Sequence, residues 1–202
     1  MSSDAVVAIT GEVENGPDET PRNKRQEETF RKVLTAAMAM LRETSYADLT
    51  VRAVAARAQV APATAYTYFS SKNHLIAEVY LDLLKQVPYF TDVNEPMPAR
   101  VEQALRSMAL TVADEPEVAA ACTTALLSGS DPTVRRVRDR IGGEIHRRIR
   151  SAVGPNADAR VVAALEMTFF GALVNAGSGV FTYHQIADRL SYVVGLIVGD
   201  DK

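Results

Sequence analysis

The chain has 202 residues, of which 47% are hydrophobic and 23% are charged, and these proportions are ordinary for a soluble globular protein. The single cysteine, Cys122, excludes an internal disulfide. We find no apolar run that approaches the ~20 residues needed to cross a bilayer, and the acidic N-terminal stretch lacks the features of a secretory signal. We therefore expect a cytoplasmic protein with no membrane partner.

The net charge of −3 conceals one basic segment. The stretch from Arg22 to Lys85 contains ten basic and six acidic side chains, whereas the segments on either side of it are acidic overall. A basic segment in an acidic chain permits phosphate binding without requiring it. Residues 1–21 lack apolar periodicity and contain two prolines and two glycines, so we predict a disordered tail there.

Apolar periodicity predicts a first helix that begins near Asn23 or Lys24. A second, short helix is predicted from Val51, with Thr50 as its N-cap. A third begins at Pro62, which suits a first helical turn because its missing N–H would be unpaired there. The apolar face of the first helix is formed by Phe30, Val33, Leu34, Ala37, Met38 and Leu41.

The rest of the chain is also predicted to be helical. Ser70 or Ser71 caps a fourth helix, which Pro88 ends. Five further helices are predicted at 97–114, 116–128, 132–152, 156–177 and 183–198, because proline- and glycine-containing segments separate them. No period-2 strand pattern is convincing. The sequence therefore predicts an all-α fold of about nine helices.

The second and third helices form a helix-turn-helix pattern, in which a short second helix enters the DNA major groove. Such a helix needs small or polar residues at its N-terminal end. The third helix opens with Ala61, Pro62, Ala63 and Thr64, and the hydroxyls of Tyr66, Thr67 and Tyr68 follow. The same pattern occurs in helical proteins that never touch DNA, where Tyr66, Tyr68 and Phe69 would be core aromatics. Phe69 is expected in the core under either interpretation.

The stretch from Leu49 to Lys72, LTVRAVAARAQVAPATAYTYFSSK, resembles the DNA-binding domain of the tetracycline-repressor family. The resemblance covers roughly residues 24–85. Thr50, Val51, Arg52, Val54, Ala55, Ala56, Val60, Thr64, Tyr66, Tyr68, Phe69 and Lys72 fall in register with the family pattern. Three positions depart from it: Gln59 replaces a turn glycine, Ala53 a frequent acidic residue and Ser70 a frequent proline. The glycine replacement requires either a left-handed Gln59 or a different turn.

The resemblance implies which residues bind DNA. Phosphate contacts are expected from Thr50, Ala61, Tyr66, Tyr68 and Lys72, and Arg52 is counted with the DNA-binding residues. Base-edge contacts are expected from Pro62, Ala63, Thr64 and Thr67. A basic arm of Arg22, Lys24 and Arg25 is expected to reach the neighbouring groove or backbone. The phosphate contacts then set affinity and salt dependence, and the groove-facing side chains set sequence choice.

The resemblance also implies the domain organisation. Residues 22–70 are expected to form the helix-turn-helix DNA-binding domain, and residues 71–202 an effector-binding and dimerisation domain, with 71–88 as the connecting helix. The last helices carry more apolar surface than a single face needs, so we expect a homodimer. The dimer contacts are expected from Leu165, Phe169, Leu173, Leu190, Val193, Val194 and Ile197. The alternative is that these residues fill only the core of one chain.

A small apolar or amphipathic effector is expected between the middle helices. Its pocket is predicted from Tyr89, Phe90, Met108, Thr111, Cys122, Leu126, Phe170, Asn175 and Tyr183, although each of these is also a natural core residue. Seven arginines crowd one helix, namely Arg135, Arg136, Arg138, Arg140, Arg147, Arg148 and Arg150. We interpret them as a solvated face, interleaved with Asp139 and Glu144. The weaker alternative is a patch for an anionic effector.

The expected function is that of a transcriptional repressor that leaves its operator when the effector binds. An activator, or a helical adaptor whose helix-turn-helix does not bind DNA, remains an alternative. An enzyme finds little support, because His74, His146 and His184 are scattered without metal-site spacing. Cys122 follows an alanine run and is expected to be a buried thiol. We expect no catalytic residue, metal or cofactor.

Overall fold

The structure, a computed structural model, describes residues 22–128 and 131–199. These residues contain nine α-helices and no strand, which confirms the predicted all-α fold. The helices are α1 (Lys24–Leu41), α2 (Val51–Arg57), α3 (Pro62–Tyr68), α4 (Lys72–Gln86), α5 (Met97–Leu110), α6 (Pro116–Leu127), α7 (Pro132–Val153), α8 (Ala159–Gly177) and α9 (Tyr183–Val198). The tail predicted at 1–21 lies outside the described residues.

Local side-chain signals set most of the helix starts, which is why the sequence located them well. A capping side chain accepts a backbone N–H at Asn23, Thr50, Ser71, Asp131, Asp158 and Thr182. Two bounds differ from the prediction by more than one residue. Helix α5 ends at Leu110 because residues 111–114 form turns, and α8 begins at Ala159 because Asp158 caps it.

Helices α1, α2 and α3 form a three-helix unit around aromatic side chains. The rings of Phe30 and Phe69 stack with their centroids 4.9 Å apart. Leu49 and Val54 are fully buried in the same core cluster. The expected core role of Phe69 is therefore confirmed, and Phe69 anchors the C-terminal end of α3.

Helix α4 is the central element of the fold, because it packs against α1, α6 and α7. Every residue from His74 to Leu81 is buried. Three polar contacts join α4 and its caps to α7 and its N-cap. Positions that come later along α4 contact positions that come later along α7, so the two helices run parallel. These contacts are Ser71–Asp131, Glu78–Arg140 and Val87–Arg148.

Helices α8 and α9 pack against each other at the far side of the molecule, and α9 also packs against α5. Among the described helices, α8 is long and apolar enough to cross a membrane by length and composition, with a mean hydropathy of 1.3. The expectation that no apolar segment approaches the length needed to cross a membrane was therefore wrong. In the fold α8 packs against α6, α7 and α9, and its Glu166 lies 2.7 Å from the His146 ring nitrogen of α7.

Candidate nucleic-acid interface

The turn between α2 and α3 sets the angle at which α3 leaves the protein. Gln59 has a φ of +56°, so it adopts the left-handed conformation that the family's turn glycine would adopt without strain. The amide of Val60 donates to the Ala55 carbonyl at 2.9 Å, which closes the turn. Pro62 then takes the first position of α3.

Helix α3 projects from the protein, because Ala65 is its one buried residue. Pro62, Ala63, Thr64 and Thr67 are all exposed, and the Thr67 hydroxyl donates to the Ala63 carbonyl at 3.1 Å. A short helix that presents small side chains and is held from behind by Ala65 and Phe69 can approach the base edges in a major groove.

The two tyrosines of α3 differ in their surroundings. The Tyr66 side chain is 51% exposed and points away from the core. Tyr68 is half-buried, and its ring meets the edge of Phe30 with centroids 6.1 Å apart. Tyr66 is therefore more accessible to a phosphate than Tyr68, whose ring already packs against the core.

Lys72 has a second role that the sequence did not indicate. Its Nζ donates to the carbonyl oxygens of Tyr46 at 2.8 Å and Ala47 at 3.2 Å, and it lies 4.4 Å from the centroid of the Tyr46 ring. The Tyr46 hydroxyl in turn bonds to Asn73. Lys72 therefore fastens the α1–α2 connection to the start of α4 in the DNA-free protein.

The other predicted phosphate contacts are Thr50, Arg52 and Ala61, and all three are exposed. Thr50 is exposed, and its hydroxyl oxygen accepts the Ala53 N–H at 3.1 Å, which leaves its own proton to donate. Arg52 is exposed on the first turn of α2. Ala61 is exposed and occupies the N-cap position of α3, immediately before Pro62.

The predicted basic arm is partly folded back onto α1. The Arg22 guanidinium lies 3.8 Å from the Phe30 ring centroid and 3.8 Å from the Glu27 carboxylate. Lys24 and Arg25 are exposed in the first turn of α1. In this conformation the arm presents Lys24 and Arg25, while Arg22 covers the aromatic core.

The predicted effector residues are spread over different environments. Met108 and Cys122 are buried in the core, whereas Phe170 and Asn175 are exposed on α8. Tyr183 is half-buried, and its hydroxyl lies 3.4 Å from Thr123 Oγ1. Thr111 and Leu126 are partly buried at the ends of α5 and α6.

Tyr89 and Phe90 line an open cleft of about 300 Å³ that follows α4. The other lining residues are Thr91, Asp92, Glu95, Arg100 and Gln103.

The expected burial of the Cys122 thiol is confirmed, and that burial raises the pKa of the thiol to about 12. The thiol is therefore neutral at physiological pH.

Four of the predicted dimer contacts belong instead to the core of the single chain. Leu165, Phe169, Leu190 and Val194 are buried within the protomer, which leaves no surface on them for a partner. Leu173, Val193 and Ile197 are partly buried. The exposed apolar side chains of α8 and α9 are different ones: Met167, Phe170, Val174, Tyr192 and Leu196. The sequence did not separate the two sets because both helices are apolar on several faces.

The prediction of a solvated arginine face on α7 holds for some members and fails for others. Arg135, Arg136, Arg147 and Arg150 are exposed. Arg148 is 1% exposed, and its Nη2 donates to the Val87 carbonyl at 2.8 Å. Its Nη1 bonds to the buried Glu144, and the guanidinium lies 4.6 Å from the Tyr89 ring centroid. Burial lowers the pKa of Arg148.

Comparison with known proteins places this geometry in a family. The model described as "Bacterial regulatory proteins, tetR family" matches residues 33–79, which span α2, α3 and about half each of α1 and α4. Uncharacterized HTH-type transcriptional regulators from Mycobacterium tuberculosis and Mycobacterium bovis are 71% identical over 98% of this chain and 94% of theirs. The HTH-type transcriptional repressor KstR from Rhodococcus jostii is 28% identical over 92% of this chain and 89% of its own.

Solved structures share the fold. A TetR transcriptional regulator from Rhodococcus sp. RHA1 superposes with a TM-score of 0.69 at 22% identity, covering 87% of this chain and 98% of that one. Thermus thermophilus FadR, a TetR-family repressor, gives a TM-score of 0.61 at 15% identity, covering 82% of this chain and 92% of its own. The chain belongs to the tetR family of bacterial regulatory proteins and is a helix-turn-helix transcriptional regulator.

Proposed function

We propose that this regulator is a cytoplasmic repressor that binds operator DNA as a homodimer and is released by a small apolar or amphipathic effector. The observation that carries the proposal is the projection of α3, whose Pro62, Ala63, Thr64 and Thr67 are exposed while Ala65 and the following Phe69 are buried. Repression is supported by the relative KstR, which is named a repressor.

The residues assigned to DNA divide into two groups by what they can recognise. Pro62, Ala63 and Thr64 offer apolar surface and one hydroxyl, which suit contact with thymine methyl groups and base edges. Thr50, Ala61, Arg52, Tyr66, Tyr68 and Lys72, together with Lys24 and Arg25 of the arm, are assigned to phosphates. For Lys72 a phosphate must compete with the carbonyls of Tyr46 and Ala47, so its net contribution is smaller than that of an unengaged lysine.

The homodimer is proposed to form through α8 and α9. Met167, Phe170 and Val174 lie on one face of α8, and Tyr192 and Leu196 lie on one face of α9. Exposed apolar side chains that are grouped on one face of a helix are typical of an interaction site. Pairing with the same surface of a second copy gives a twofold four-helix interface, which fixes the distance between the two copies of α3. Those two helices must lie about 34–36 Å apart to enter successive major grooves.

The effector class is supported by the site and by structural neighbours. The FadR structures from Thermus thermophilus and Bacillus subtilis are complexes with lauroyl-CoA and stearoyl-CoA, which are amphipathic. In this chain the cleft beside Tyr89 and Phe90 combines aromatic rings with the polar side chains of Arg100 and Gln103. It adjoins the end of α4, so a molecule bound there can shift the helix that positions α3.

The test is binding of the purified protein to DNA from around its own gene, measured over a range of salt concentrations. We expect Tyr66→Ala to weaken binding to operator and to unrelated DNA by a similar factor and to leave the salt dependence nearly unchanged, because it removes a neutral phosphate contact and no positive charge. Thr64→Ala is expected to reduce the preference for operator over unrelated DNA, because Thr64 faces base edges.

Val93→Ala, at an exposed position on the α4–α5 connection, is the control and should bind like the wild type. Tyr66→Phe separates the hydroxyl from the ring. If the wild type binds no fragment selectively at low salt, or if Tyr66→Ala binds as tightly as Val93→Ala, the assignment of α3 to DNA is wrong. Effectors are then screened by their ability to lower operator affinity.

A further inference from the structure

Two arginines of α7 differ from the other five in their contacts. The described residues provide a partner for each of those five: Leu126 carbonyl for Arg138, Glu78 for Arg140, Glu144 for Arg147 and Arg148, and Ala157 carbonyl for Arg150. Arg135 and Arg136 are exposed and form no ion pair or side-chain hydrogen bond with any described residue. Their positive charges are therefore uncompensated by the part of the fold that the structure shows.

The start of α7 lies against the start of α4. Ser71 Oγ donates to Asp131 Oδ2 at 3.0 Å, and Asn73 Nδ2 donates to Ser128 Oγ at 2.7 Å. Ser71 caps α4 immediately before Lys72 and two residues after Phe69. The beginning of α7 is thereby fixed next to the end of α3, which is the edge of the proposed DNA-binding surface.

The direction of α7 aims both arginines at that edge. Because α4 and α7 run parallel, their N-terminal ends lie together on the DNA-binding side. Side chains on an α-helix lean toward its N-terminus, so Arg135 and Arg136 lean toward the end of α7 at which Asp131 contacts Ser71. They stand about one helical turn, ~5.4 Å, beyond the Asp131 cap, a rise that an extended arginine side chain can bridge.

We propose that Arg135 and Arg136 contact the phosphates that flank the sequence read by α3, so that the second half of the chain also takes part in DNA binding. The inference rests on the proposed function. Two acidic groups share this stretch of α7. The Asp131 carboxylate already accepts from Ser71 and from the Thr133 N–H, and Asp139 stands about one turn farther from the DNA-binding end. The leading end of α7 therefore presents net positive charge to the flanking backbone.

A paired charge variant tests this assignment. Arg135→Gln/Arg136→Gln is compared with Arg150→Gln/Arg160→Gln, which removes the same charge from exposed arginines at the opposite end of α7 and the start of α8. Each lost phosphate contact makes the slope of log affinity against log salt shallower by about one. For two arginines in each of two protomers we expect a change of about four, whereas the control pair should leave the slope unchanged.

Duplex length gives an independent readout. Wild-type affinity should rise when an operator duplex of about 20 bp is extended to about 40 bp, because the flanking phosphates are then present. The Arg135→Gln/Arg136→Gln protein should gain little from the extension, and Arg135→Lys/Arg136→Lys should regain it because the charges return. Thermal unfolding midpoints of all variants verify that the fold is kept.

The outcomes separate the two proposals. If the wild type binds operator selectively but the Arg135→Gln/Arg136→Gln protein keeps the wild-type slope and length dependence, the flanking contacts are refuted and the repressor assignment stands. A loss equal to that of the control pair also refutes them, because it shows an effect of net charge alone. If the wild type binds no DNA selectively, both proposals fall.

Discussion

The guanidinium of Arg140 on α7 donates to the carboxylate of Glu78 on α4, with Nη1 2.5 Å from Oε1. Glu78 is 3% exposed, and the His74 Nε2 lies 3.7 Å from the same oxygen. Burial by itself would raise the pKa of Glu78, but the nearby His74 ring and the charge of Arg140 outweigh it and hold the pKa below its usual value. The middle of α4 is thereby tied to α7 by a charged contact within the core.

Removal of Arg140 should cost more stability than removal of the Glu78 charge. Arg140→Met removes the arginine from the buried Glu78 carboxylate and leaves it beside the His74 ring. We expect a loss of about 2–3 kcal/mol in the free energy of unfolding. Glu78→Gln should cost about 1 kcal/mol, because the Arg140 side chain can reach solvent. Urea unfolding of both single variants and the double variant measures the coupling. Equal losses from the two single changes would contradict this asymmetry.

The contribution of this pair has a defined pH range. Because the folded pKa of Glu78 is lowered, its stabilisation is complete above the unfolded value near 4.5 and is lost as the pH falls through the lower folded value. The stability difference between wild type and Arg140→Met should therefore be largest near neutral pH and shrink below about pH 4. A difference that stays constant down to pH 3 would show that the charge of Glu78 does not carry the effect.

The strained turn before α3 predicts a stabilising substitution. Gln59 holds a left-handed φ of +56°, which costs a residue with a Cβ about 1–2 kcal/mol that glycine avoids. We expect Gln59→Gly to stabilise the protein by about 0.5–1 kcal/mol, after the greater freedom of glycine in the unfolded chain is allowed for. Gln59→Ala keeps the strain and should be close to neutral in thermal unfolding. Destabilisation by glycine would indicate that the Gln59 side chain makes a contact worth more than the strain.

Gly177 on α8 lies against Thr123 on α6. A Cβ on this residue would overlap the Thr123 side chain, including Thr123 Cβ at 3.0 Å. Gly177→Ala should therefore destabilise the protein by about 1–2 kcal/mol despite the better helix propensity of alanine. Thr123→Ala in the same chain should restore most of the loss. Gly142→Ala, where the added Cβ meets no atom within 4 Å, is the control and is expected to be neutral or stabilising in the same unfolding assay.

The proposed dimer surface can be tested by introducing a charge. Leu196 and Met167 are 84% and 74% exposed in the single chain, so replacement by aspartate leaves the protomer core intact. Each change should weaken dimerisation by about 100-fold or more, because an unpaired charge would be buried between the two copies. Light scattering over a concentration series measures the mass. Val93→Asp, at an equally exposed position outside α8 and α9, should remain dimeric, and a dimeric Leu196→Asp protein would place the interface elsewhere.

The parts of the fold that the sequence predicted are those that depend on neighbouring residues. Helix starts follow from caps such as Thr50 and Ser71, and the motif of α2 and α3 occupies one short stretch. The burial of Arg148 was missed, because its carbonyl partner at Val87 and its ring partner at Tyr89 lie far away in the sequence. The division of α8 into an inner face at Leu165 and an outer face at Met167 was also missed, since a helix that is apolar all round has no periodic signal to separate them.

The burial of α4 from several sides has a practical consequence for engineering. The DNA-reading end of the protein is not a transplantable module, since α4 is shared between the helix-turn-helix and the helices that cover it. A fragment cut after Val87 would keep Leu75, Val79 and Leu84 on a helix stripped of α6 and α7, with its apolar positions open to water. A chimaera built to exchange sensing domains among such regulators must therefore redesign the entire contact of α4 with its new neighbours, or carry α6 and α7 along with the DNA-binding helices.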